Sequence, residues 1–331
     1  MILIVTVKSD VHPNSVISLM QEKQIPYFRL NTECLMTDYR FAWFHDNGMT
    51  PDFYIQNVHT GQIVIGQDIT SVWCRRPDKP KELPYKSGDN VLEKFNLDQA
   101  GQFYKYLMFY LMDYYSIGNF LYDRSAGSKF LQSKVAAELG MKIAPTCISN
   151  IKERIVNFSK PYEKVAIKSM YNEFLELDDN MCYYTTTQCV DSKLLTDQPE
   201  EAYTQTVNFV QQYTEKKYEL RVTVMGSYIF TCKIDSQVQS ADTGAIDWRQ
   251  GYDYGLKHEI IDTPEVIATF CRKYLRHFNL NYGAFDFIVT PEDEYVFLEC
   301  NPNGQWAWIE NECHVPMSEA MLDCLVNRIP V

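Results

Sequence analysis

The chain has 331 residues, 46% hydrophobic and 22% charged, the balance of a soluble globular protein with room for more than one core. Its formal net charge of −12 argues against a nucleic-acid partner, since phosphate backbones are met by a basic face. No apolar run approaches the roughly 20 residues that span a bilayer, so no membrane partner is expected. The ten cysteines are scattered and never form a Cys-x-x-Cys pair, which points to reduced thiols in a cytoplasmic protein and away from a zinc site or disulfide framework.

In chain order, Ile2–Val7 predicts a first strand, apolar but without the basic start of a secretory signal. A helix over Val11–Lys23 follows, then strands at Pro26–Leu30, Asp52–Gln56 and Ser71–Cys74, and a Pro- and Gly-bearing loop from Pro80 to Asn90. Val91–Ile117 predicts one long helix whose aromatic stripe is expected to be core or a homodimer interface. A second unit opens at Tyr122-Asp123-Arg124-Ser125, with Asp123 or Ser125 as N-cap, and its helix carries Lys129 and stops at Gly140. Strands are expected to end at Pro145, over Val165–Ser169 and over Val207–Tyr213, with a helix at Ile151–Phe158 and a hairpin across Glu173–Gln188 turning at Asp178-Asp179-Asn180. Strands then pair across Gly226 within Glu219–Asp235, a helix covers Thr263–Phe278, a hairpin joins Tyr282–Thr290 to Glu294–Asn301, and Pro316–Arg328 is helical. The fold class is α/β followed by α+β, with domains expected at 1–118, 119–210 and 211–331.

The chemistry concentrates in the final hairpin. Asp286 lies within one apolar strand, and Glu299 and Asn301 at the exit of the other, two residues apart and so on one face. Two carboxylates and an amide on an apolar sheet are costly without a partner, and a hard cation such as magnesium takes oxygen donors of this kind. The plainer alternative is a pair of exposed carboxylates at the hairpin edge. Lys168 stands inside the apolar strand Val165-Ala166-Ile167, and Lys129 in the first turn of its helix, where the dipole already favours anions. Either lysine alone reads as a surface side chain; both, ahead of a magnesium-type hairpin, point to phosphate. Arg221 sits in the strand Glu219-Leu220-Arg221-Val222, followed by Lys233 and Arg249; a planar guanidinium suits a transferring phosphoryl group, and Glu219 suits a ribose.

This order of parts resembles the ATP-grasp superfamily, and more narrowly its branch that makes microviridin-type peptides (graspetides). The matching stretches are Val72-Trp73-Cys74-Arg75-Arg76-Pro77, Glu219-Leu220-Arg221-Val222, Asp247-Trp248-Arg249 and Leu298-Glu299-Cys300-Asn301-Pro302-Asn303. The resemblance implies an ATP-grasp fold: an N-terminal α/β domain, a central lobe and a C-terminal antiparallel-sheet lobe. It implies ATP and two magnesium ions as cofactors, with phosphates on Lys129 and Lys168, and adenine at a hinge including Gln211, Tyr213 and Thr214. The ribose would fall to Glu219, and the metals to Asp286, Glu299 and Asn301, with Arg221, Arg249 and Lys233 catalytic. The implied partner is a precursor peptide. Its leader would meet Glu173, Glu176, Asp178 and Asp179, and its acidic core Arg75 and Arg76. The implied reaction activates a side-chain carboxylate as an acyl phosphate and closes an ester or amide ring. The alternatives are a ligase that adds free amino acids, an ATP-grasp kinase, and an ATP-binding module without turnover. One departure stands out: no glycine occurs between Gly140 and Gly226, where many ATP-grasp ligases carry a glycine-rich phosphate loop.

Overall fold

The structure is a computed structural model that describes residues 1–46, 48, 50, 52–170, 174–178, 181–184, 186–237 and 256–331, without the side chains of 174–178 and 181–184. Chain order already separates two styles of sheet. Near the N-terminus, the strands Tyr27–Asn31, Ile2–Thr6, Ser71–Cys74 and Ser116–Ile117 lie side by side in that order, all parallel. Ile2, Leu3, Ile4 and Val5 are all at most 2% exposed, as expected of a parallel strand covered on both faces. One cover is the helix Pro13–Glu22, which begins on proline and buries Val16 and Met20, one turn apart. A three-stranded antiparallel sheet, Tyr39–Phe44, Asp52–Asn57 and Ile63–Ile65, completes this part.

The long helix is shorter than its sequence pattern. It runs Asn90–Tyr110, capped by the Asp89 carboxylate, which accepts from the N–H of Val91 and Leu92 at 2.9 and 3.1 Å. A tight turn over Leu111–Asp113 then feeds the edge strand Ser116–Ile117. The aromatic run misleads because Tyr114 and Tyr115 are tied elsewhere: their hydroxyls donate to the carbonyls of Gly66 and Ile329 at 3.0 and 2.6 Å. Gly118 fixes the break, since it has φ +72° and a Cβ there would lie 2.1 Å from the Cys74 carbonyl oxygen.

In the middle of the chain an antiparallel sheet orders Gln188–Asp191, Lys164–Lys168, Asn208–Gln212 and Thr146–Ser149. Between Lys164–Lys168 and Gln188–Asp191 in the chain comes the hairpin Phe174–Asp178/Met181–Tyr184. The second unit starts differently from the sequence reading. Neither Asp123 nor Ser125 is an N-cap; both lie inside a short helix, Tyr122–Ala126, at whose start the N–H groups of Leu121 and Tyr122 donate to Asn119 Oδ1. Ser128 takes the cap position of the next helix, Lys129–Glu138, which ends as expected before Gly140 at φ +77°.

The C-terminal sheet has five antiparallel strands, ordered Lys257–Ile261, Tyr228–Asp235, Tyr218–Met225, Tyr282–Val289 and Tyr295–Asn301. One face packs on the helix Glu265–His277, which buries Ile267, Phe270, Cys271, Tyr274 and Leu275 at helical spacing. Phe270 meets Phe285, Phe287 and Phe297 edge-on, at centroid distances of 6.3, 5.9 and 5.2 Å. The opposite face, nearest Tyr218–Met225, carries the polar groups described next.

Candidate active site

Strand register assembles the polar row. Arg221 lies directly opposite Asp286, and Asp286 directly opposite Glu299, so three adjacent strands place one charged side chain each in a line across the sheet. A β-bulge makes this possible: Asp286 pairs with Glu299 and Phe287 with Phe297, leaving Leu298 extra. Phe297 and Glu299 are two residues apart and would share a face in a regular strand. The bulge lets Phe297 enter the core while Glu299 points into the site.

Arg221 Nη1 donates to both Asp286 oxygens at 2.7 Å. Arg221 is 7% exposed; burial opposes its charge, but Asp286 holds its pKa above the usual arginine value. Asn301 Nδ2 lies 3.2 Å from a carboxylate oxygen of Asp286 and 3.2 Å from one of Glu299, so the three side chains expected to hold metal converge. These donors are oxygen-bearing, and their negative charge is answered by Arg221 and Lys129, a set that fits magnesium ions shared with phosphate oxygens.

Lys129 pairs with Glu299, held there by its own helix. One turn on, buried Gln132 clasps the Cys300 backbone, donating to its carbonyl at 2.8 Å and accepting from its N–H at 3.1 Å. Lys168, at the end of its strand, has its ammonium 6.0 Å from the Phe209 ring centroid, and burial pushes its pKa down to about 8. Glu219, 5% exposed, accepts from Lys216 Nζ at 2.9 Å and from Ser236 Oγ at 3.1 Å.

Arg221, Asp286, Glu299, Asn301, Lys129, Lys168, Lys216 and Glu219 line one cleft of about 1670 Å³ that also receives Gln211, Tyr213, Thr214 and Arg76. Drug-sized ligands occupy pockets of about 300–1,000 Å³, so the cleft has room for a nucleotide and a stretch of peptide together. Gln211 itself sits in mid-sheet, paired with Thr146 and Ala166, and its side chain donates to Thr146 Oγ1 at 3.0 Å.

Two expectations need correction. Lys233 stands opposite Leu220 and so on the sheet face away from Arg221, with its ammonium 4.9 Å from the Tyr218 ring centroid. Arg75 is 2% exposed and donates to the Asn303 carbonyl, with Asp10 3.7 Å away, so it joins the N-terminal sheet to the loop after Asn301 and presents nothing to a peptide. Glu173, Asp179, Asp247, Trp248 and Arg249 lie outside the described residues, and Glu176 and Asp178 are described by backbone alone. Sequence reasoning missed Lys216, Ser236, Gln132 and Asn303. Of these only Lys216, three residues before Glu219, carried a signal: a cation beside an acid expected to be buried.

No protein-family model matches the sequence, and no curated protein matches it. Solved structures do match, and they show the class: the chain has the fold of the ATP-grasp ligases. Within that class it is similar to a RiPP-associated ATP-grasp ligase from Chryseobacterium gregarium, determined with ADP and a leader and core peptide, at 27% identity over 99% of this chain and 97% of that one, TM-score 0.83. It is similar also to the macrocyclase MdnC from Microcystis aeruginosa MRC, bound with the precursor peptide MdnA, at 26% identity over 99% of this chain and all of that one, TM-score 0.82. The resemblance to peptide-modifying ATP-grasp ligases read from the sequence is borne out. D-alanyl-alanine synthetase A from Vibrio cholerae shares the fold alone, at 12% identity over 99% of this chain and 97% of that one, TM-score 0.53. Among the described residues no helix is long and apolar enough to cross a membrane.

Proposed function

We propose that the chain is an ATP-dependent peptide ligase that closes ω-ester or ω-amide rings in a precursor peptide. The observation that carries this reading is the row Arg221–Asp286–Glu299, with Lys129 at its end, along a cleft large enough for nucleotide and peptide. The neighbour determined with ADP and a leader and core peptide, and the neighbour bound with a precursor peptide, support it.

Lys129 and Lys168 hold the ATP phosphates, the segment through Tyr213 and Thr214 receives adenine, and Glu219, steadied by Lys216 and Ser236, takes the ribose. Asp286, Glu299 and Asn301 hold two magnesium ions, whose chemistry is to neutralise charge on the phosphate oxygens. A peptide Asp or Glu side chain attacks the γ-phosphorus and ADP leaves, giving an acyl phosphate. A Thr or Ser hydroxyl of the same peptide, or a Lys amine, then attacks the acyl carbon and phosphate leaves. Arg221 holds positive charge beside the reacting groups through both steps. The cleft walls keep water from the acyl phosphate, which would otherwise hydrolyse. The acids Glu173, Glu176, Asp178 and Asp179 read the leader, raising the effective concentration of the core.

Mass spectrometry of a candidate precursor incubated with enzyme, ATP and magnesium tests the proposal: each ring appears as the loss of one water. ADP release driven by free amino acids and not by peptide would replace it with amino-acid addition. Replacing Asp178 and Asp179 by lysine is expected to weaken leader binding by about tenfold or more, with ADP binding spared. Unchanged affinity for a leader peptide in calorimetry would return these acids to ordinary surface.

A further inference from the structure

Carboxylates answer most of the positive charge in the cleft: Lys129 faces Glu299, Lys216 faces Glu219 and Arg221 faces Asp286. Arg124 and Arg76 line the same cleft, are exposed, and have no carboxylate partner among the described residues. In a chain of net charge −12, with acids abundant for pairing, two such guanidinium groups in a cleft mark a place for an incoming anion.

Arg124 is held rather than loose. Its guanidinium carbon lies 4.2 Å from the ring centroid of Phe120, which is 8% exposed and meets Tyr104 and Phe109 edge-on at 5.6 and 6.0 Å. Stacking on a ring occupies the face of a guanidinium and leaves its N–H edge free for a forked bond to a carboxylate. The backbone below is fixed too. The Asn119 side chain caps the turn, and the neighbouring Asp123 carboxylate accepts from Asn303 Nδ2 at 2.6 Å. The turn that presents Arg124 is thus bonded to the loop that follows Glu299 and Asn301.

We propose that Arg124, with Arg76 on the same cleft, is the receptor for a carboxylate of the acidic substrate peptide and selects the acid presented for phosphorylation. This rests on the peptide-ligase reading and gives Arg124 the part that buried Arg75 cannot play. A planar carboxylate matches the free fork, and the nucleotide phosphates are already provided for by Lys129 and Lys168.

The probes are a synthetic peptide of threonine and glutamate and its counterpart with glutamine for glutamate, each titrated by fluorescence anisotropy into the full chain loaded with Mg·ADP. The natural protein is expected to prefer the acidic peptide, and Arg124→Gln to lose about tenfold of that preference. Arg124→Lys, which keeps the charge without the fork, is expected to recover part of it, and ADP affinity is expected to hold in both variants. No loss, an equal loss for both peptides, or no preference in the natural protein overturns the assignment; weaker ADP binding also overturns it and indicates a phosphate contact. Hydroxylamine trapping separates this from the ligase reading. A preference that falls in Arg124→Gln, with no hydroxamate formed from ATP and the acidic peptide, leaves the carboxylate receptor standing and sinks the ligase.

Discussion

Arg221 and Asp286 each depend on the other. Their side chains are 8% and 13% exposed, so removing the carboxylate strands a buried guanidinium at a cost of about 3–5 kcal/mol. Asp286→Asn is therefore expected to lose turnover and to unfold at markedly lower urea. Glu299→Gln is expected to lose turnover with a much smaller shift, because its pair with Lys129 is 20% and 24% exposed. Equal urea midpoints for the two variants would contradict this ranking; near-natural ATPase activity in either would remove the metal assignment. Lys168 sets a pH dependence. Burial lowers its pKa to about 8, so the free protein carries the charge below that pH and loses it above. Phosphate favours the charged form, so above pH 8 nucleotide binding takes up a proton and affinity falls by up to about tenfold per pH unit. Calorimetry in buffers of different ionisation enthalpy checks this, and Lys168→Met is expected to abolish the proton uptake. Asp286, Glu299 and Asn301 were legible because each breaks an apolar strand. Lys233 was misread because charge in a strand says nothing of its face; that requires the register, in which Lys233 stands opposite Leu220.

At the scale of elements, the helix Lys129–Glu138 packs through Val135 and Ala136 and is tied to the metal-site strand by one polar side chain. Gln132 is 2% exposed and satisfies both the N–H and the carbonyl of Cys300. Gln132→Leu leaves two buried backbone groups unpaired, at about 1–3 kcal/mol each, and frees the helix start that aims Lys129 at Glu299. The expected result is a lower unfolding midpoint together with a fall in kcat beyond what loss of folded protein explains. Unchanged kcat per folded molecule would make the clasp a matter of stability alone. Phe270→Ala, on the far face of the sheet, is expected to cost about 3–5 kcal/mol in urea denaturation and to leave kcat per folded molecule intact. The strands and helices with strict periods were readable in the sequence. The bulge at Leu298 was not, since an extra residue in a strand leaves no mark on composition. Nor was the end of the helix at Tyr110, because apolar aromatics carried on past the point where Tyr114 and Tyr115 turn to other partners.

For the whole molecule, the cleft draws its walls from each of the larger sheets or from loops joined to them. A ligand that bridges them stabilises all of them at once. Mg·ADP at about 100 times its Kd is expected to add ~2.7 kcal/mol of stability, seen as a rise in Tm that EDTA largely removes. A rise with ADP that EDTA leaves untouched would show that nucleotide binds without the Asp286–Glu299–Asn301 set. The overall architecture was legible because strands and helices alternate in the first unit and segregate in the later ones. How the parts meet was not, because contacts such as Arg75 with Asn303 join residues far apart in the chain.

That last contact has a bearing on biosynthesis. Arg75 leaves the ribosome early, and its guanidinium has Asp10 for company but lacks its carbonyl acceptor until residue 303 emerges. At about 5–20 residues per second, the wait lasts roughly 10–45 s. Through that interval the Arg75 guanidinium has Asp10 and solvent as its partners in place of the Asn303 carbonyl, and Asp286, Glu299 and Asn301 have yet to be made. A nascent chain stalled before that stretch can neither complete its cleft nor hold nucleotide, so the protein gains its chemistry in one late step of its own synthesis.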